Sequence, residues 1–381
     1  MTDSILRIQN LTIDYVVGAG TFHAVRNVSL DMSPGRVLGI VGETGCGKST
    51  LAHAIPRLLS EPPAKIVSGS IVLQGIDLLQ IPKWKLPMVR GTGIGMIFQE
   101  PINSLNPSYR IYDQLAEAVR IRRLRELGLT RRGSIDLEPF DYARSKTPKT
   151  MDVLTHAVVP TTRLGGKWRR ARVDDEEIRA AVLEYLRLVR INDPETILQL
   201  YPHELSGGMR QRVMIAMALS GKPTLLIADE PTSALDITIQ AQVLTLMKEL
   251  MNEVKTSILF ISHDLGVIAE MADEIGVMYA GSLVETGPVA EVFESPRHPY
   301  TKALLRSAPN KYKDEGPLPS LPGSVPNLSQ LPPGCPFHPR CILAREVCRE
   351  GSSPPLAPPK EAPESTHRAA CYFSEEVATL P

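Results

Sequence analysis

The stretch GETGCGKST, from Gly42 to Thr50, places the strongest constraint on the fold of this chain. It follows the short apolar segment RVLGIV (36–41) and precedes the helix-compatible run LAHAIPRLL. A glycine-rich turn between a buried strand and a helix allows backbone N–H groups to surround phosphate groups. In such a turn Lys48 reaches the phosphates, and the Ser49 hydroxyl binds Mg²⁺. The segment therefore predicts a phosphate-binding loop.

Short apolar segments elsewhere indicate strands that are covered on both faces. They are TLLIA (224–228), SILFIS (257–262) and EIGVMYAG (274–281). Helical stretches lie between them, for example Met209 to Ser220, which Gly221 and Pro223 follow. This alternation predicts an α/β fold with a parallel sheet. By contrast, Leu6 to Tyr15 partly alternates apolar and polar residues, which predicts a half-buried edge strand.

Two acidic residues end the apolar segment LLIADE, namely Asp229 and Glu230. A carboxylate at a strand end beside the phosphate loop suits a second Mg²⁺ contact. The next carboxylate can accept a proton from an attacking water. Taken alone, an Asp-Glu pair after an apolar strand is as often an ordinary strand end as it is part of a catalytic site. The interpretation therefore depends on the surrounding motifs.

Four further motifs stand around these residues in a fixed order. They are MIFQEP with Gln99, LSGGMRQRV (205–213), PTSALD (231–236) and ISHD with His263. Together with the phosphate loop they resemble the ABC-type ATPases over roughly residues 5 to 310. The resemblance implies a P-loop NTPase core of α/β class, with an antiparallel β edge and a helical subdomain.

This resemblance implies a role for each motif residue. Glu230 would be the general base, His263 would contact the γ-phosphate, and Gln99 would sense it. The implied catalytic set is Glu230, His263, Gln99 and Lys48. The implied ATP contacts are Tyr15, Gly42, Glu43, Thr44, Gly45, Cys46, Gly47, Lys48, Ser49, Thr50, Gln99, Asp229, Ser206, Gly207 and Gly208. The implied Mg²⁺ ligands are Ser49, Gln99 and Asp229.

Three of these residues carry an additional expectation. In the family, the Ser206 segment contacts ATP that is bound to a second subunit, so the active form would be a dimer. Tyr15 would stack on adenine, although a tyrosine that ends an edge strand is also common. Cys46 occupies a small-residue position of the loop, where a filling role is more ordinary than a redox role.

Two longer segments indicate the branch of the family. MIFQEPINSLNP (96–107) and HPYTKALLRSAP (298–309) resemble the oligopeptide and dipeptide importer ATPases. That resemblance implies an ATP-hydrolysing subunit that energises uptake of peptides or related solutes. Its implied partners are a second, related ATPase subunit, two membrane permeases and, indirectly, a substrate-binding protein. Relatives in this branch also import oligosaccharides or nickel, so the solute stays open.

No stretch approaches the roughly 18 to 20 apolar residues that span a bilayer. The start, MTDSILRIQN, lacks a basic region followed by an apolar run. We therefore expect a cytosolic chain that is peripheral to the cytoplasmic face of the cell membrane. Because 42 basic residues balance 42 acidic ones, net charge indicates no nucleic-acid partner.

The segment between the MIFQEP and LSGGMRQRV motifs departs from the family pattern. The predicted helical subdomain covers about 101–204, and within it residues 122–177 form an insertion. From 122 to 172 it holds 13 Lys or Arg against 5 Asp or Glu, a basic excess. The insertion could contact anionic lipid headgroups or be simply solvated. It also leaves open an alternative, a soluble ABC ATPase that acts on nucleic acid or ribosomes.

The last part of the chain, 313–381, follows a predicted nucleotide-binding domain of residues 1–312. It holds 14 of the 33 prolines, so it cannot be mostly helix or central strand. Its cysteines are Cys335, Cys341, Cys348 and Cys371. They resemble the extension of oligopeptide importer ATPases that can ligate a [4Fe–4S] cluster. Zinc, with His338 or His367 as alternate ligands, and four reduced thiols remain open alternatives.

Overall fold

The structure is a computed structural model that describes residues 4–18, 20–100, 104–124, 159–160, 170–171, 174–233, 235–254, 256–307 and 323–380. These residues form two compact units. The first unit comprises Met1–Ile81, Ile227–Ser233 and Lys255–Pro381, and the second comprises Pro82–Leu226 and Ala234–Val254. No described helix combines the length and the apolar character that a bilayer crossing requires.

Strands and helices are numbered here in chain order. The strands are β1 (Leu6–Val17), β2 (Gly20–Met32), β3 (Val37–Val41), β4 (Ala64–Leu73), β5 (Ile76–Asp77), β6 (Ile94–Ile97), β7 (Val159–Pro160), β8 (Arg170–Ala171), β9 (Leu225–Asp229), β10 (Ser257–Ile261), β11 (Glu274–Tyr279), β12 (Ser282–Pro288) and β13 (Arg368–Ala369). The α-helices are α1 (Lys48–Ala54), α2 (Leu86–Val89), α3 (Ile111–Leu124), α4 (Asp175–Leu188), α5 (Pro194–Ile197), α6 (Gly207–Ser220), α7 (Ile237–Val254), α8 (Leu265–Met271), α9 (Val289–Glu294), α10 (Pro299–Arg306) and α11 (Glu346–Arg349).

The first unit contains an antiparallel sheet in the order β2-β1-β4-β5. Strand β1 pairs with both β2 and β4. The prediction of a strand from Leu6 to Tyr15 is confirmed, but its placement at an edge is wrong. Alternating side chains such as Leu6 and Ile8 are buried while Arg7 is exposed. That pattern shows which face of a strand is covered, and a central antiparallel strand with one solvated face gives the same pattern.

The other sheet of the first unit carries the phosphate loop. Six of its strands follow the order β13-β12-β11-β3-β10-β9. Strand β3 pairs in parallel with β10 and β11, as predicted, and β12 pairs antiparallel with β11. Every residue of β3, β9 and β10 is buried. The short apolar segments are therefore strands covered on both faces, and they place the phosphate loop at the carboxyl end of β3.

Polar side chains define where the helices of this unit begin. The Asp264 side chain accepts hydrogen bonds from the first N–H groups of α8, an N-cap contact. At α10 the cap is His298, whose Nδ1 accepts from the N–H of Tyr300 at 3.1 Å, with Pro299 as the first helical residue. Burial lowers the pKa of His298 to about 3, so the ring is neutral and can accept.

The second unit is built mainly from helices. Buried Arg122 of α3 donates to the Tyr185 hydroxyl of α4 at 2.7 Å and to the Ser220 carbonyl of α6 at 3.3 Å. One guanidinium thus joins three helices. Helix α6 begins at Gly207, two residues before the predicted start, because the Ser206 side chain caps it. Most of the basic insertion predicted at 122–177 lies outside the described residues.

A buried carboxylate fastens the C-terminal residues to the first unit. Glu285 of β12 accepts hydrogen bonds from the N–H groups of Arg297 and His298, at 2.6 and 2.9 Å. Its Oε1 also lies 2.7 Å from Nε2 of His367, next to β13. Glu285 is fully buried, so these contacts take the place of water. One side chain therefore joins β12, the start of α10 and the residues before β13.

We expect Glu285→Leu to lower the free energy of unfolding by about 3–5 kcal/mol. The substitution leaves the buried N–H of His298, the partly buried N–H of Arg297 and a ring nitrogen of His367 without their acceptor. Chemical denaturation followed by circular dichroism measures the loss. The matched control is Glu291→Ala, which removes a carboxylate that lies 3.8 Å from the same histidine and is 54% exposed. Its expected effect is within about 0.5 kcal/mol, and equal losses in the two variants would contradict the role of Glu285.

Candidate functional site

Two glycines give the phosphate loop its path. Gly42 and Gly47 have φ values of +152° and +105°, which side chains other than glycine rarely adopt. A Cβ on Gly42 would lie 2.2 Å from the Met278 carbonyl oxygen. A Cβ on Gly47 would lie equally close, at 2.2 Å, to the Ala24 carbonyl oxygen. The loop is therefore pressed against neighbouring backbone at both ends.

Lys48 turns its ammonium group back over this loop. The residue is 4% exposed, and its Nζ donates to the Gly42 carbonyl at 2.8 Å and to the Glu43 carbonyl at 3.2 Å. A buried ammonium requires such acceptors, because desolvation of an unpaired charge is costly. The loop carbonyls therefore fix the position of the one cation that the sequence assigns to the phosphates.

The two Mg²⁺ ligands predicted from β9 and the loop are in contact. The Ser49 hydroxyl donates to Oδ1 of Asp229 at 3.1 Å. Asp229 ends β9 and is 2% exposed. Burial raises the pKa of this carboxyl, whereas the charge of His53 and the Ser49 hydrogen bond lower it. A hydroxyl and a carboxylate are the oxygen donors that Mg²⁺ prefers, so this pair fits the ion.

Glu230 and His263 also meet, as the motif order predicts. Nδ1 of His263 lies 3.1 Å from Oε2 of Glu230, and the Glu230 N–H donates to the Ile261 carbonyl at 3.0 Å. Glu230 has a φ of +47°, an uncommon value for a residue with a side chain. Its carbonyl accepts from both the N–H and the hydroxyl of Ser233. These bonds stabilise the strained backbone and aim the carboxylate at the histidine.

Three other residues assigned to ATP belong to other structural elements. Tyr15 lies in β1, opposite Phe22 of β2 and Ala64 of β4. Gln99 follows β6 in the second unit and is exposed, and Ser206 caps α6 in the same unit. Their roles stay predictions. Within the loop, burial raises the pKa of the Cys46 thiol, which agrees with a filling role.

Two side chains that support the loop carry no signal in the sequence patterns. Glu43 accepts two hydrogen bonds from the guanidinium of Arg340, and its N–H donates to the Tyr300 hydroxyl at 2.9 Å. Tyr300 belongs to the HPY segment, which had indicated only a branch of a family. Arg340 lies between two of the clustered cysteines. Neither residue stands near the loop in sequence, so no local pattern could have linked them to it.

The four clustered cysteines line one cavity together with His338. Burial raises the pKa of Cys341 to about 11 and that of Cys371 to about 12. The N–H of Phe373 donates to Sγ of Cys371 at 3.4 Å and opposes that shift. His367, the other alternate zinc ligand, does not line this cavity, and its Nε2 lies 2.7 Å from Oε1 of Glu285. Among the described residues, no group of three or more His, Cys, Asp or Glu side chains is arranged to hold a metal ion.

Two protein families match this chain. Residues 25–233 match the ABC transporter family, and this segment contains the phosphate loop, Asp229 and Glu230. Residues 284–348 match the family described as oligopeptide/dipeptide transporter, C-terminal region. The second match includes the HPY segment, Arg340 and three of the four clustered cysteines.

Similar proteins cover nearly the whole chain. A peptide ABC transporter ATP-binding protein of Sinorhizobium fredii is 40% identical, over 99% of this chain and 97% of that protein. The dipeptide transport ATP-binding protein DppD of Bacillus subtilis is 37% identical, over 99% and 96%. Among solved structures, the ADP-bound dimer of the ATP-binding cassette MJ0796 has a TM-score of 0.56 at 23% identity, covering 74% of this chain and 98% of that one. Cassette cbiO1 of Clostridium perfringens has a TM-score of 0.53 at 26% identity, covering 77% and 91%.

We expect Gly47→Ala to destabilise the chain more than Gly35→Ala. Both glycines have positive φ, so both alanines carry a backbone strain of about 1–2 kcal/mol. A Cβ at Gly35 meets nothing within 4 Å, whereas the one at Gly47 meets a carbonyl oxygen. That overlap adds about 1–3 kcal/mol. Urea unfolding of the two variants measures the difference, and equal losses would contradict the close approach at the loop.

Proposed function

The chain belongs to the ATP-binding proteins of ABC transporters, and on this premise we propose that its ATP hydrolysis energises uptake of oligopeptides, dipeptides or related solutes. One observation carries the proposal. The segment 284–348 matches a region named for oligopeptide and dipeptide transporters, and it lies on the same chain as a full set of ATPase motifs. The similar proteins that carry peptide or dipeptide transport in their names support it.

The contacts of the first unit support the following roles in hydrolysis. Lys48 would bind the β- and γ-phosphates, while Ser49 and Asp229 would hold Mg²⁺, which supplies charge neutralisation to the transferring phosphoryl group. Glu230 would accept the proton of the attacking water. His263, hydrogen-bonded to Glu230, would orient that carboxylate and contact the γ-phosphate. Gln99 would complete the Mg²⁺ ligands.

The assembly that we propose follows from the same family. Ser206, Gly207 and Gly208, at the start of α6, would contact ATP bound to a second, related ATPase subunit. Two such chains would work beneath two membrane permeases at the cytoplasmic face, and a substrate-binding protein would deliver the solute. Residues 1–312 would form the nucleotide-binding domain, with its helical subdomain at about 101–204, and residues 313–381 the C-terminal extension.

The cysteine cavity would hold a [4Fe–4S] cluster. Its four thiols, of Cys335, Cys341, Cys348 and Cys371, are the usual ligand set for such a cluster. Burial raises the pKa of Cys341 and of Cys371, and the backbone N–H groups of Leu343 and Phe373 oppose that shift. The positive charge of bound iron would therefore have to keep these thiols deprotonated. The cluster would cross-link a proline-rich segment that has little core of its own.

We expect Glu230→Gln to lower the rate of ATP hydrolysis by about 10²- to 10⁴-fold, because an amide cannot accept the proton of the attacking water. ATP affinity should be retained, since Lys48, Ser49 and Asp229 are unchanged. Steady-state hydrolysis and binding of a fluorescent ATP analogue measure the two effects. In cells that lack the wild-type gene, the variant should fail to restore uptake of a labelled dipeptide.

The matched control is Glu249→Gln, because Glu249 is half exposed on α7 and pairs with Arg190 at the surface. It should hydrolyse ATP at the wild-type rate. Retained turnover in Glu230→Gln would remove Glu230 from the mechanism. Wild-type hydrolysis without uptake of peptides, sugars or nickel would contradict the importer function but not the ATPase.

For the cluster, we expect protein purified without oxygen to contain about four irons and four sulfides per chain. Cys348→Ser should lower both values, because it replaces a buried thiol at the cavity. Cys46→Ser, outside the cavity, is the control and should keep them. Zinc alone, or no metal, would contradict the proposal and leave the ATPase assignment unchanged.

A further inference from the structure

Arg340 connects the cysteine segment to the phosphate loop. It ends the 3₁₀ turn His338–Arg340, next to Cys341, yet its side chain is 5% exposed. Its Nη1 and Nη2 donate to the two carboxylate oxygens of Glu43, at 2.7 and 3.0 Å. This is a bidentate ion pair, the strongest class of side-chain hydrogen bond.

Aromatic rings lie next to the ion pair on its buried side. The Arg340 guanidinium lies 5.8 Å from the ring centre of Tyr279 and 3.4 Å from its hydroxyl. Phe337, three residues before Arg340, packs edge-on against Tyr279 and Tyr300. Rings that exclude water strengthen the attraction between the charges, and they allow the planar guanidinium one main orientation. The arginine of this ion pair is buried, while the side chain of Glu43 is 28% exposed, so the pair lies at the boundary of the core.

Glu43 connects Arg340, which its side chain binds, to Lys48, which its backbone carbonyl binds. Its N–H is held by the Tyr300 hydroxyl, and its carbonyl accepts from Nζ of Lys48 at 3.2 Å. The Glu43 backbone is thus fixed between the aromatic cluster and the ammonium group. The side chain of Glu43 is fixed by Arg340. A shift of Arg340 would move the segment of the loop that sets the position of Lys48.

We propose that Arg340 is a positioning residue of the ATP site, and that through Glu43 it couples the order of the cysteine segment to nucleotide binding. The inference rests on the proposed assignment of the loop 42–50 as the ATP site. Coupling between two sites is reciprocal. The arginine should therefore tighten the binding of ATP, and bound nucleotide should in turn stabilise the cysteine segment.

The first test compares MgATP affinity in full-length variants. Arg340→Met should weaken binding about 10-fold, the effect of losing one hydrogen-bonded charge contact. Arg340→Lys keeps the charge but loses the bidentate geometry. Its MgATP affinity should therefore lie between those of Arg340→Met and the wild type. The control is Arg345→Met, in the same segment, whose side chain is half exposed in an ion pair with Glu376. It should bind MgATP with wild-type affinity, and unchanged affinity in Arg340→Met would overturn the proposal.

A double-mutant cycle separates this contact from a general loss of stability. Glu43→Gln alone should weaken MgATP binding to a similar extent, because it removes the acceptor charge and leaves Arg340 in place. The double variant with Arg340→Met should bind no more weakly than either single variant. Losses that simply add would show that the two residues act independently and would overturn the coupling. Glu43→Gln also tests the proposal if Arg340→Met does not fold.

Amide hydrogen exchange supplies a readout that does not depend on turnover. Saturating MgADP should increase the protection of residues 335–348 in the wild type and in Arg345→Met, but not in Arg340→Met or Glu43→Gln. The Lys48→Ala variant distinguishes a failure of the proposed ATP site from a failure of the proposed coupling. If Lys48→Ala loses MgADP binding while Arg340→Met keeps both affinity and protection, the site stands and the coupling fails. If Lys48→Ala binds normally, the proposed site itself fails.

Discussion

The structure of the first unit depends on the hydrogen bonds that one buried ammonium group makes. Lys48 is surrounded by protein, and its hydrogen bonds go to carbonyl groups of the loop that precedes it. Those carbonyls can converge only if the loop turns sharply, and Gly42 and Gly47 permit that turn. Strands β2 and β11 lie against the two ends of the turn, because the backbone of Ala24 lies directly behind Gly47 and that of Met278 behind Gly42. The strands thus fix the path of the loop, and the loop carbonyls fix the position of the Lys48 ammonium group.

The acidic end of β9 complements this cation. Asp229 is buried against Ser49, while Glu230 turns through a left-handed backbone conformation toward His263. Adjacent residues on a strand point to opposite faces, so a regular strand could not direct both carboxylates into one site. The positive φ at Glu230 breaks the alternation at the strand end. Backbone strain at this position therefore accompanies a change in direction, which leaves the Glu230 carboxylate in contact with His263.

Local patterns in the sequence predicted the parallel strands, the phosphate loop and the meeting of Ser49 with Asp229. These features depend on neighbours in sequence or on the rule that carboxyl ends of parallel strands share an edge. The patterns misplaced β1 at a sheet edge, because one-sided burial does not show how many strands flank it. They also missed Arg340 and Tyr300, which contact Glu43 across 297 and 257 residues. Such contacts depend on the whole fold, and no periodicity encodes them.

The separation of Glu43 from Arg340 also has a consequence for biosynthesis. A ribosome adds about 5 to 20 residues per second, so Arg340 emerges roughly 15 to 60 s after Glu43. During that interval the growing chain already carries its lysine and glycines but lacks the arginine that braces them. The phosphate loop of a nascent chain would therefore gain this ion pair only after the cysteine segment has been synthesised. A chain truncated before Arg340 would keep a loop whose Glu43 side chain has no guanidinium to bind.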